Sequence, residues 1–517
     1  MNLAPLMAAL SPCAVHGLQG EGPAVTALHY RSQEVQPGGV FVAIRGQSAD
    51  GHDFIDDARR RGAVAVVTEK PVAGSGVVVI VPDTRRALAE LAAAFYGRPS
   101  EQLTVVAVTG TNGKTTTTYL VEGILMQAGR PTGVIGTINY RHSGISQPSP
   151  TTTPESLDLQ RILAEMRAAG VSHVVLEASS HAIDLQRIHA CWIDVGVFTN
   201  LSQDHLDFHG SMPAYWATKK RLFTHFLATG PKAGRAVAVV NTDSVHGSEL
   251  AEQAGIRVIR AGTGTDCGVR GENWSCDLQG IRGTIVFGAR RIDIRSRMVG
   301  RHNIENLLCA AGVGTALGID PRIIGAGLEA VGHVPGRLER VESRSGRRVY
   351  VDYSHTPDAL ENALAALRAL SAGRIICVFG CGGDRDRTKR PIMGSIAARR
   401  SDLAVVTSDN PRTEDPVAIL DQIVPGIRAQ GVAQTDARRI DLSAGGKGFV
   451  VEPDRRKAIA LGIRAARPGD AVLIAGKGHE PYQIIGRQAI HFDDREEAAA
   501  VLAQLEAEGI GHGASGG

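Results

Sequence analysis

The sequence predicts an α/β protein of three domains: a small N-terminal α/β unit, a central parallel-sheet domain opening on a phosphate loop, and a C-terminal Rossmann-like unit. Two observations predict it. At 517 residues the chain is too long for one hydrophobic core, and domains of roughly 100–200 residues make about three. From Leu103 onward apolar runs alternate with helical periodicity, and the alternation restarts after Val334-Pro335-Gly336, as in parallel sheets covered by helices.

The first domain is assigned to residues 1–100. It holds the short apolar runs Val40–Ile44, Ala63–Thr68 and Val77–Val81, then an amphipathic segment that stops at Tyr96-Gly97-Arg98-Pro99, a hinge by composition. The central domain, 101–335, has candidate strands Leu103–Val108, His173–Leu176, Val195–Thr199 and Ala236–Val240. Each is followed at once by polar residues: Thr109–Thr116, Glu177–His181, Asn200–Asp207 and Asn241–Asp243. Ligands of open parallel sheets bind beyond the carboxyl ends of the strands, so these four stretches are expected to form one composite site. The third domain, 336–517, repeats the pattern with Val349–Asp352, Arg374–Gly380, Leu403–Thr407 and Ala471–Ala475. Its polar strand ends are Asp352–Asp358, Gly380–Arg390, Ser408–Arg412 and Gly476–Glu480. Gly511–Gly517 reads as a disordered tail.

Composition excludes several classes. Apolar residues are 43% and charged residues 21%, ordinary for a globular protein, and the 61 glycines suit many tight turns and anion-binding loops. A net charge of +3, without a basic stripe, argues against a nucleic-acid partner. The seven cysteines are scattered, and the nearest pair, Cys377 and Cys381, reads as buried thiols in a reducing compartment. Met1–Gly20 has no basic region leading into an apolar run, and no stretch reaches the ~20 apolar residues of a membrane span. A cytoplasmic monomer acting on small molecules is expected, with no membrane partner.

The run Val105–Val108 leads into Thr109-Gly110-Thr111-Asn112-Gly113-Lys114-Thr115-Thr116, and a helix follows with apolar residues at Leu120, Val121, Ile124, Leu125 and Ala128. Backbone N–H groups and the positive helix end would hold phosphate oxygens, Lys114 would neutralise the outer phosphates, and the Thr115 hydroxyl could reach Mg²⁺. The general motif has a glycine six residues before the lysine, where this chain has Val108. Glu177 and His205 follow neighbouring candidate strands and are candidate ligands for a Mg²⁺ bridging those phosphates.

Gly110-Thr-Asn-Gly-Lys-Thr-Thr116, Glu177-Ala-Ser-Ser-His181, Thr199-Asn-Leu-Ser-Gln-Asp-His205, Gly300-Arg-His-Asn303-Ile-Glu-Asn306, Gly336-Arg337, Asp352-Tyr-Ser-His-Thr-Pro-Asp358 and Gly380-Cys-Gly-Gly-Asp-Arg385 together resemble the Mur ligase family, over about residues 25–500. Within it, Asp409-Asn410-Pro411-Arg412 and Gly476-Lys-Gly-His-Glu480 look like those of the tripeptide-forming members. The resemblance implies domains for a UDP-sugar, for ATP and for an incoming amino acid. It implies ATP on Gly110, Thr111, Asn112, Gly113, Lys114, Thr115 and Thr116, with Asn303 near the adenine end and Arg337 and Asp352 reaching in from the third domain. Mg²⁺ would involve Thr115, Glu177 and His205, with Lys219 matching the lysine that the family carbamylates. Lys114, Lys219 and His205 are the implied catalytic groups. Ser32 and the Gln47–Ala49 turn would meet the sugar nucleotide, and Thr152, Thr153, Ser179 and Arg187 its peptide. The first-domain motif departs from the usual Asp-Ser-Arg, reading Arg31-Ser32-Gln33, and Leu185 stands where some relatives have a glutamine.

Amino-acid choice would rest on Arg385, Asp409, Asn410, Pro411, Arg412, Gly476 and Glu480. Meso-diaminopimelate carries a second carboxylate that lysine lacks, and an arginine fork suits a carboxylate. The implied activity is ATP-dependent ligation of meso-diaminopimelate to the D-glutamate γ-carboxylate of UDP-N-acetylmuramoyl-L-alanyl-D-glutamate through an acyl phosphate, in peptidoglycan synthesis. The competing readings are a lysine-adding or folylpolyglutamate-type ligase and a nucleotide-switched ATPase. Arg412 argues against lysine, and Val35-Gln-Pro-Gly-Gly-Val-Phe-Val-Ala43, which resembles the sugar-nucleotide module, argues against the folate branch.

Overall fold

The computed structural model describes residues 1–46, 49–74, 76–277, 280–435 and 447–513. Three main sheets succeed one another along the chain. The first has five strands, β1 (Ala14–His16), β2 (Ala27–His29), β3 (Gly39–Val42), β4 (Ala65–Thr68) and β5 (Val77–Ile80), in the order β1-β5-β4-β3-β2. β2 to β5 are parallel and β1 closes one edge antiparallel. β3 and β4 are buried throughout, which is why they read as unbroken apolar runs. The helix Thr84–Phe95 packs Leu88 and Leu91 onto this sheet, its first N–H groups capped by Asp83. The expected hinge is a tight corner, with Arg98 at φ +50° before the short helix Pro99–Gln102.

The second sheet carries the phosphate loop. Its strands are β6 (Thr104–Thr109), β7 (Thr132–Ile135), β8 (Asn139–His142), β9 (Ile145–Pro148), β10 (His173–Glu177), β11 (Val195–Phe198), β12 (Val237–Asn241), β13 (Arg257–Gly262), β14 (Val269–Asp277), β15 (Gly280–Phe287) and β16 (Arg290–Ser296). The order is β16-β15-β14-β13-β12-β11-β6-β10-β7-β8-β9. The seven strands from β14 to β7 are parallel, and antiparallel strands extend both edges. The sheet is therefore mixed, where the sequence pattern suggests a parallel one. Helices Lys114–Gln127 and His302–Ala316 cover one face; the helix Ser156–Ala168 with Phe223, Phe226 and Leu227 covers the other. Because β6 lies between β10 and β11, Thr109, Glu177 and Phe198 end side by side.

The third sheet runs β17 (Glu339–Val341), β18 (Arg348–Asp352), β19 (Ile375–Phe379), β20 (Leu403–Val406), β21 (Ala433–Gln434), β22 (Gly448–Val451) and β23 (Ala471–Ala475), in the order β17-β18-β23-β19-β20-β22-β21. All but β17 are parallel, and a hairpin, β24 (Tyr482–Ile485) and β25 (Gln488–His491), follows. Behind the carboxyl ends sits a fully buried ion pair. Arg455 donates to both carboxylate oxygens of Asp494, at 2.7 and 2.6 Å, and to the carbonyls of Ser408 (3.2 Å) and Ala475 (3.0 Å). One guanidinium thereby ties the ends of β20 and β23, which are not neighbours in the sheet, to the last helix. That helix, Asp494–Gly513, takes up the first part of the expected tail, and residues 514–517 lie outside the described residues.

Removing one partner of such a pair strands a buried charge. Asp494→Ala is expected to destabilise the third domain by about 3–5 kcal/mol, read as a shift of its urea unfolding transition. A shift below about 1 kcal/mol would mean that the two carbonyls alone satisfy Arg455.

Candidate active site

A cavity of about 380 Å³ opens where the carboxyl ends of β6, β10 and β11 meet the start of the third domain. It is lined by Thr111–Thr116, Glu177, Ser202, Asp204, His205, Lys219, Arg337, Asp352 and Asp358, among others. Its floor is the phosphate loop. Gly110 has φ +150°, and a Cβ there would stand 1.9 Å from Thr199 Oγ1; Gly113, at φ +84°, would drive a Cβ to 2.3 Å from Asn306 Oδ1. Both positions therefore require glycine. Val108 needs no such freedom: it is a buried strand residue paired with Glu177 and Val197, so the loop's sharp turn begins only at Gly110. The N–H groups of Thr111 and Asn112 are engaged by Asn200, through its carbonyl and its Oδ1, both at 2.9 Å. The first turn of the helix Lys114–Gln127 supplies the donors free of intrahelical partners.

Two lysines converge on this loop. Lys114 Nζ donates to the carbonyls of Gly110 (2.9 Å) and Thr111 (2.7 Å). Lys219 is 1% exposed, and its Nζ donates to the same Gly110 carbonyl at 2.8 Å, 4.5 Å from the centre of the Tyr215 ring. Burial, then the Lys114 charge, pushes the Lys219 amine well below the ordinary lysine range. Burial likewise depresses Lys114.

Glu177, the last residue of β10, is also buried. Its Oε2 accepts from Thr115 Oγ1 (3.1 Å) and Thr137 Oγ1 (2.8 Å), and its Oε1 from the Thr137 N–H (3.0 Å). His205, at φ +53°, pairs with Asp204 at 3.3 Å and stacks edge-on to His181. Burial lowers His205 to about 3 despite Asp204, so its imidazole is neutral at neutral pH. Among the described residues no three His, Cys, Asp or Glu side chains converge as a metal cluster. A cation here would need Thr115, phosphate oxygens or another added ligand to complete its shell.

The third domain reaches across the cavity. Arg337 donates to Thr115 Oγ1 at 3.0 Å and lies over the Tyr353 ring at 4.8 Å. Asp352 accepts from the Leu338 N–H at 2.6 Å and from Ser354. Asp358 accepts from Asn112 Nδ2 (2.6 Å) and Ser202 Oγ (3.1 Å). Asn303 does not line the cavity: its amide donates to the Val299 carbonyl and its oxygen accepts from Asn306, which itself faces the loop. Asp204, Ser202 and Asp358 are site residues that the sequence reading quotes within motifs without selecting.

The expected dipeptide-binding group forms a connected patch. Thr152 hydrogen-bonds Thr137 at 3.1 Å, Thr153 Oγ1 donates to the Glu177 carbonyl (2.7 Å) and bonds Ser179, and Arg187 donates to the Thr153 carbonyl at 3.1 Å. Ser179 caps the helix Ser180–Asp184. Arg187 and Arg85 both approach Glu155 Oε2, at 3.5 and 3.1 Å, joining the first domain to this patch. Ser32 is apart from it, buried at a 3-10 turn beside Asp57. Of the Gln47–Ala49 turn, Gln47 and Ser48 lie outside the described residues.

At the carboxyl ends of the third sheet, Arg412 (φ +51°) donates to the Gly383 carbonyl at 2.8 Å, and its backbone N–H joins Ile484 on β24. Burial, then the neighbouring Arg412 charge, depresses Arg385. At the same strand ends Asn410 Nδ2 donates to Glu480 Oε2 at 2.9 Å, Asp409 is buried with no hydrogen bond to Oδ1, and Gly476 runs against Asp409. Burial, then the Asp409 charge, raises Glu480. Pro411 carries the turn between them. Two neighbouring guanidinium groups and two neighbouring carboxylates at these strand ends suit a zwitterion.

The chain matches three family models in succession: "Mur ligase family, catalytic domain" over 24–96, "Mur ligase middle domain" over 108–314 and "Mur ligase, glutamate ligase domain" over 336–478. It is 48% identical over 516 residues to a UDP-N-acetylmuramoyl-L-alanyl-D-glutamate--2,6-diaminopimelate ligase of Geobacter metallireducens, covering 99% of this chain and 100% of the relative. A ligase of the same name from Geobacillus thermodenitrificans is 42% identical over 97% of this chain and 99% of its own. A solved structure of a ligase so named superposes with a TM-score of 0.66 at 30% identity, covering 98% and 100% of the two chains. The MurF ligase of Thermotoga maritima in complex with ADP shares the fold, with a TM-score of 0.64 at 21% identity over 94% and 99%.

Gly110→Ala is expected to weaken binding of a fluorescent ATP analogue by about tenfold or more, since the added methyl must displace Thr199. Wild-type affinity in that variant would dissociate the loop from nucleotide binding.

Proposed function

The chain belongs to the Mur ligase family, and from that premise we infer that it joins meso-2,6-diaminopimelate to the D-glutamate γ-carboxylate of UDP-N-acetylmuramoyl-L-alanyl-D-glutamate in an ATP-dependent reaction of peptidoglycan synthesis. The observation that carries the mechanism is the single cavity in which the phosphate loop, Lys219, Arg337 and Asp358 meet.

A carboxylate does not react with an amine until its oxygen becomes a leaving group. The γ-carboxylate attacks the γ-phosphorus of ATP, the bond to the bridging oxygen of ADP breaks, and an acyl phosphate results. The neutral amine of diaminopimelate then adds to the acyl carbon, and the tetrahedral adduct expels phosphate and loses a proton. Lys114 and Arg337 stand where charge on the transferring phosphoryl group would be met. Thr152, Thr153, Ser179 and Arg187 border the Glu177 side of the cavity, which suits them to the dipeptide, with Ser32 as the first-domain contact. Arg385 and Arg412 suit the distal carboxylate of diaminopimelate, and Asp409 and Glu480 its ammonium. One chain carries all these groups, so a monomer suffices, and nucleotide substrates support a cytoplasmic location. No helix among the described residues is long and apolar enough to cross a membrane.

Thr115, Glu177 and His205 fit a hard cation as a mixed oxygen and nitrogen set, and Mg²⁺ there would screen phosphate charge during transfer. Lys219 fits carbamylation because a depressed amine is neutral at a pH where ordinary lysines are charged, and only the neutral amine adds to CO₂. The carbamate would replace that amine with an anionic oxygen beside the phosphates.

Purified protein with ATP, Mg²⁺ and the UDP-linked dipeptide should release phosphate with meso-diaminopimelate and not with L-lysine, the product mass confirming ligation. Arg412→Ala should lower kcat/KM for diaminopimelate by about 100-fold. Turnover with lysine would overturn the specificity reading, and dipeptide-independent hydrolysis would favour a nucleotide switch. Growth in ¹³C-bicarbonate should give one carbamate carbon resonance that disappears in Lys219→Met; its persistence would assign the modification elsewhere.

A further inference from the structure

Behind the two carboxylates of the amino-acid subsite lies a lysine whose side chain is 0% exposed, Lys477. Its ammonium donates to Asn410 Oδ1 at 2.8 Å and to the Tyr482 carbonyl at 2.6 Å. It stands 3.7 Å from Asp409 Oδ1 and 3.8 Å from Glu480 Oε2. No ligand can reach it without opening the fold, so any effect it has on substrate must pass through these neighbours.

The effect on Asn410 is specific. An amide side chain can turn either end toward a ligand, and which end it offers depends on its fixed partners. Asn410 Oδ1 accepts from Lys477 Nζ and also from the Ile484 backbone N–H at 3.0 Å, two groups that can only donate. Both acceptor sites of the oxygen are thereby used, and the Nδ2 end is turned to Glu480. Asn410 can act toward a ligand only as a donor. Asp409 Oδ1 has no hydrogen-bond partner, and Lys477 is the cation that stands between the two carboxylates, 3.7 Å from Asp409 Oδ1 and 3.8 Å from Glu480 Oε2.

We propose that Lys477 is a specificity-determining positioning residue: buried behind the subsite, it locks Asn410 as a donor and fixes the Asp409 and Glu480 carboxylates on either side of it, so that the subsite accepts an amino-acid head bearing both an ammonium and a carboxylate. The proposal rests on the assignment of Asp409–Arg412 and Gly476–Glu480 to diaminopimelate.

The test is steady-state kinetics on the full-length protein with each substrate varied in turn. Lys477→Met should raise KM for meso-diaminopimelate by about tenfold or more, leaving KM for ATP and for the UDP-linked dipeptide within about twofold. Because the lysine acts through Asn410, the double variant Lys477→Met/Asn410→Ala should bind diaminopimelate no worse than the weaker single variant. A fall in thermal stability with unchanged KM, or fully additive losses, would overturn the proposal. If Lys477→Met does not fold, Asn410→Asp decides: it keeps the shape and an oxygen for Lys477 but removes the donor, and should raise the same KM, whereas a wild-type KM would overturn the proposal. Failure of the wild-type protein to use diaminopimelate at all would be a different result, removing the assignment on which the proposal rests.

Discussion

Two lysine nitrogens share one carbonyl oxygen, that of Gly110, and much of the central domain serves to bring them there. Lys114 comes from the helix that follows the loop and Lys219 from a helix more than a hundred residues later, on the other side of β11. The cavity holds them because the loop is pinned: Asn200 takes the Thr111 and Asn112 N–H groups, Thr199 Oγ1 donates to the Asn112 carbonyl at 2.6 Å, and Tyr215 hydrogen-bonds Thr111. The result is two lysine nitrogens and Arg337 gathered in one cavity with Glu177, Asp204 and Asp358, where burial makes a lysine lose its proton readily.

The same loop is the meeting point of two domains. Asp358 binds Asn112 and Ser202, and Arg337 binds Thr115, so the loop is held from the third domain. These contacts are polar and few, unlike the apolar cores within each domain, and polar contacts of this kind can be exchanged for ligand atoms at little cost. That suits a reaction whose acyl phosphate must be kept from water while three substrates enter and leave.

The strands that carry the site are legible in the sequence because parallel strands buried on both faces are apolar runs, as in Ala471–Ala475 and Val237–Asn241. The flanking strands are not. Arg290-Arg-Ile-Asp-Ile-Arg-Ser296 alternates between helix-packed and exposed positions with charge on the outer side, and Ile145–Pro148 is exposed throughout. Nor does periodicity reveal which polar residues will meet across domains. Glu177, His205 and the loop lie at adjacent strand ends and could be paired on paper, whereas Asp358 meets Asn112 only through the docking of the third domain. Asn303 is a different case: its motif is visible, and its amide bonds Val299 and Asn306 at the edge of a small pocket that it shares with Thr116 and Arg337. In Asp454-Arg455-Arg456-Lys457 three basic residues look alike, and nothing local says that the first is 1% exposed while the second is open to water.

That buried arginine bears on how the protein is made. Arg455 fixes the carbonyls that precede Asp409 and Gly476, and its counter-charge, Asp494, stands near the end of the 517-residue chain. During synthesis the earlier domains can fold as they emerge. The strand ends before Asp409 and Gly476 cannot follow them fully, because until the Asp494 helix emerges the guanidinium lacks the carboxylate that it binds at two points. The strands of the third sheet can pair beforehand, but their ligand edge closes last. A chain that stops before Asp494 would thus carry the phosphate loop with the ligand edge of the third sheet unfinished.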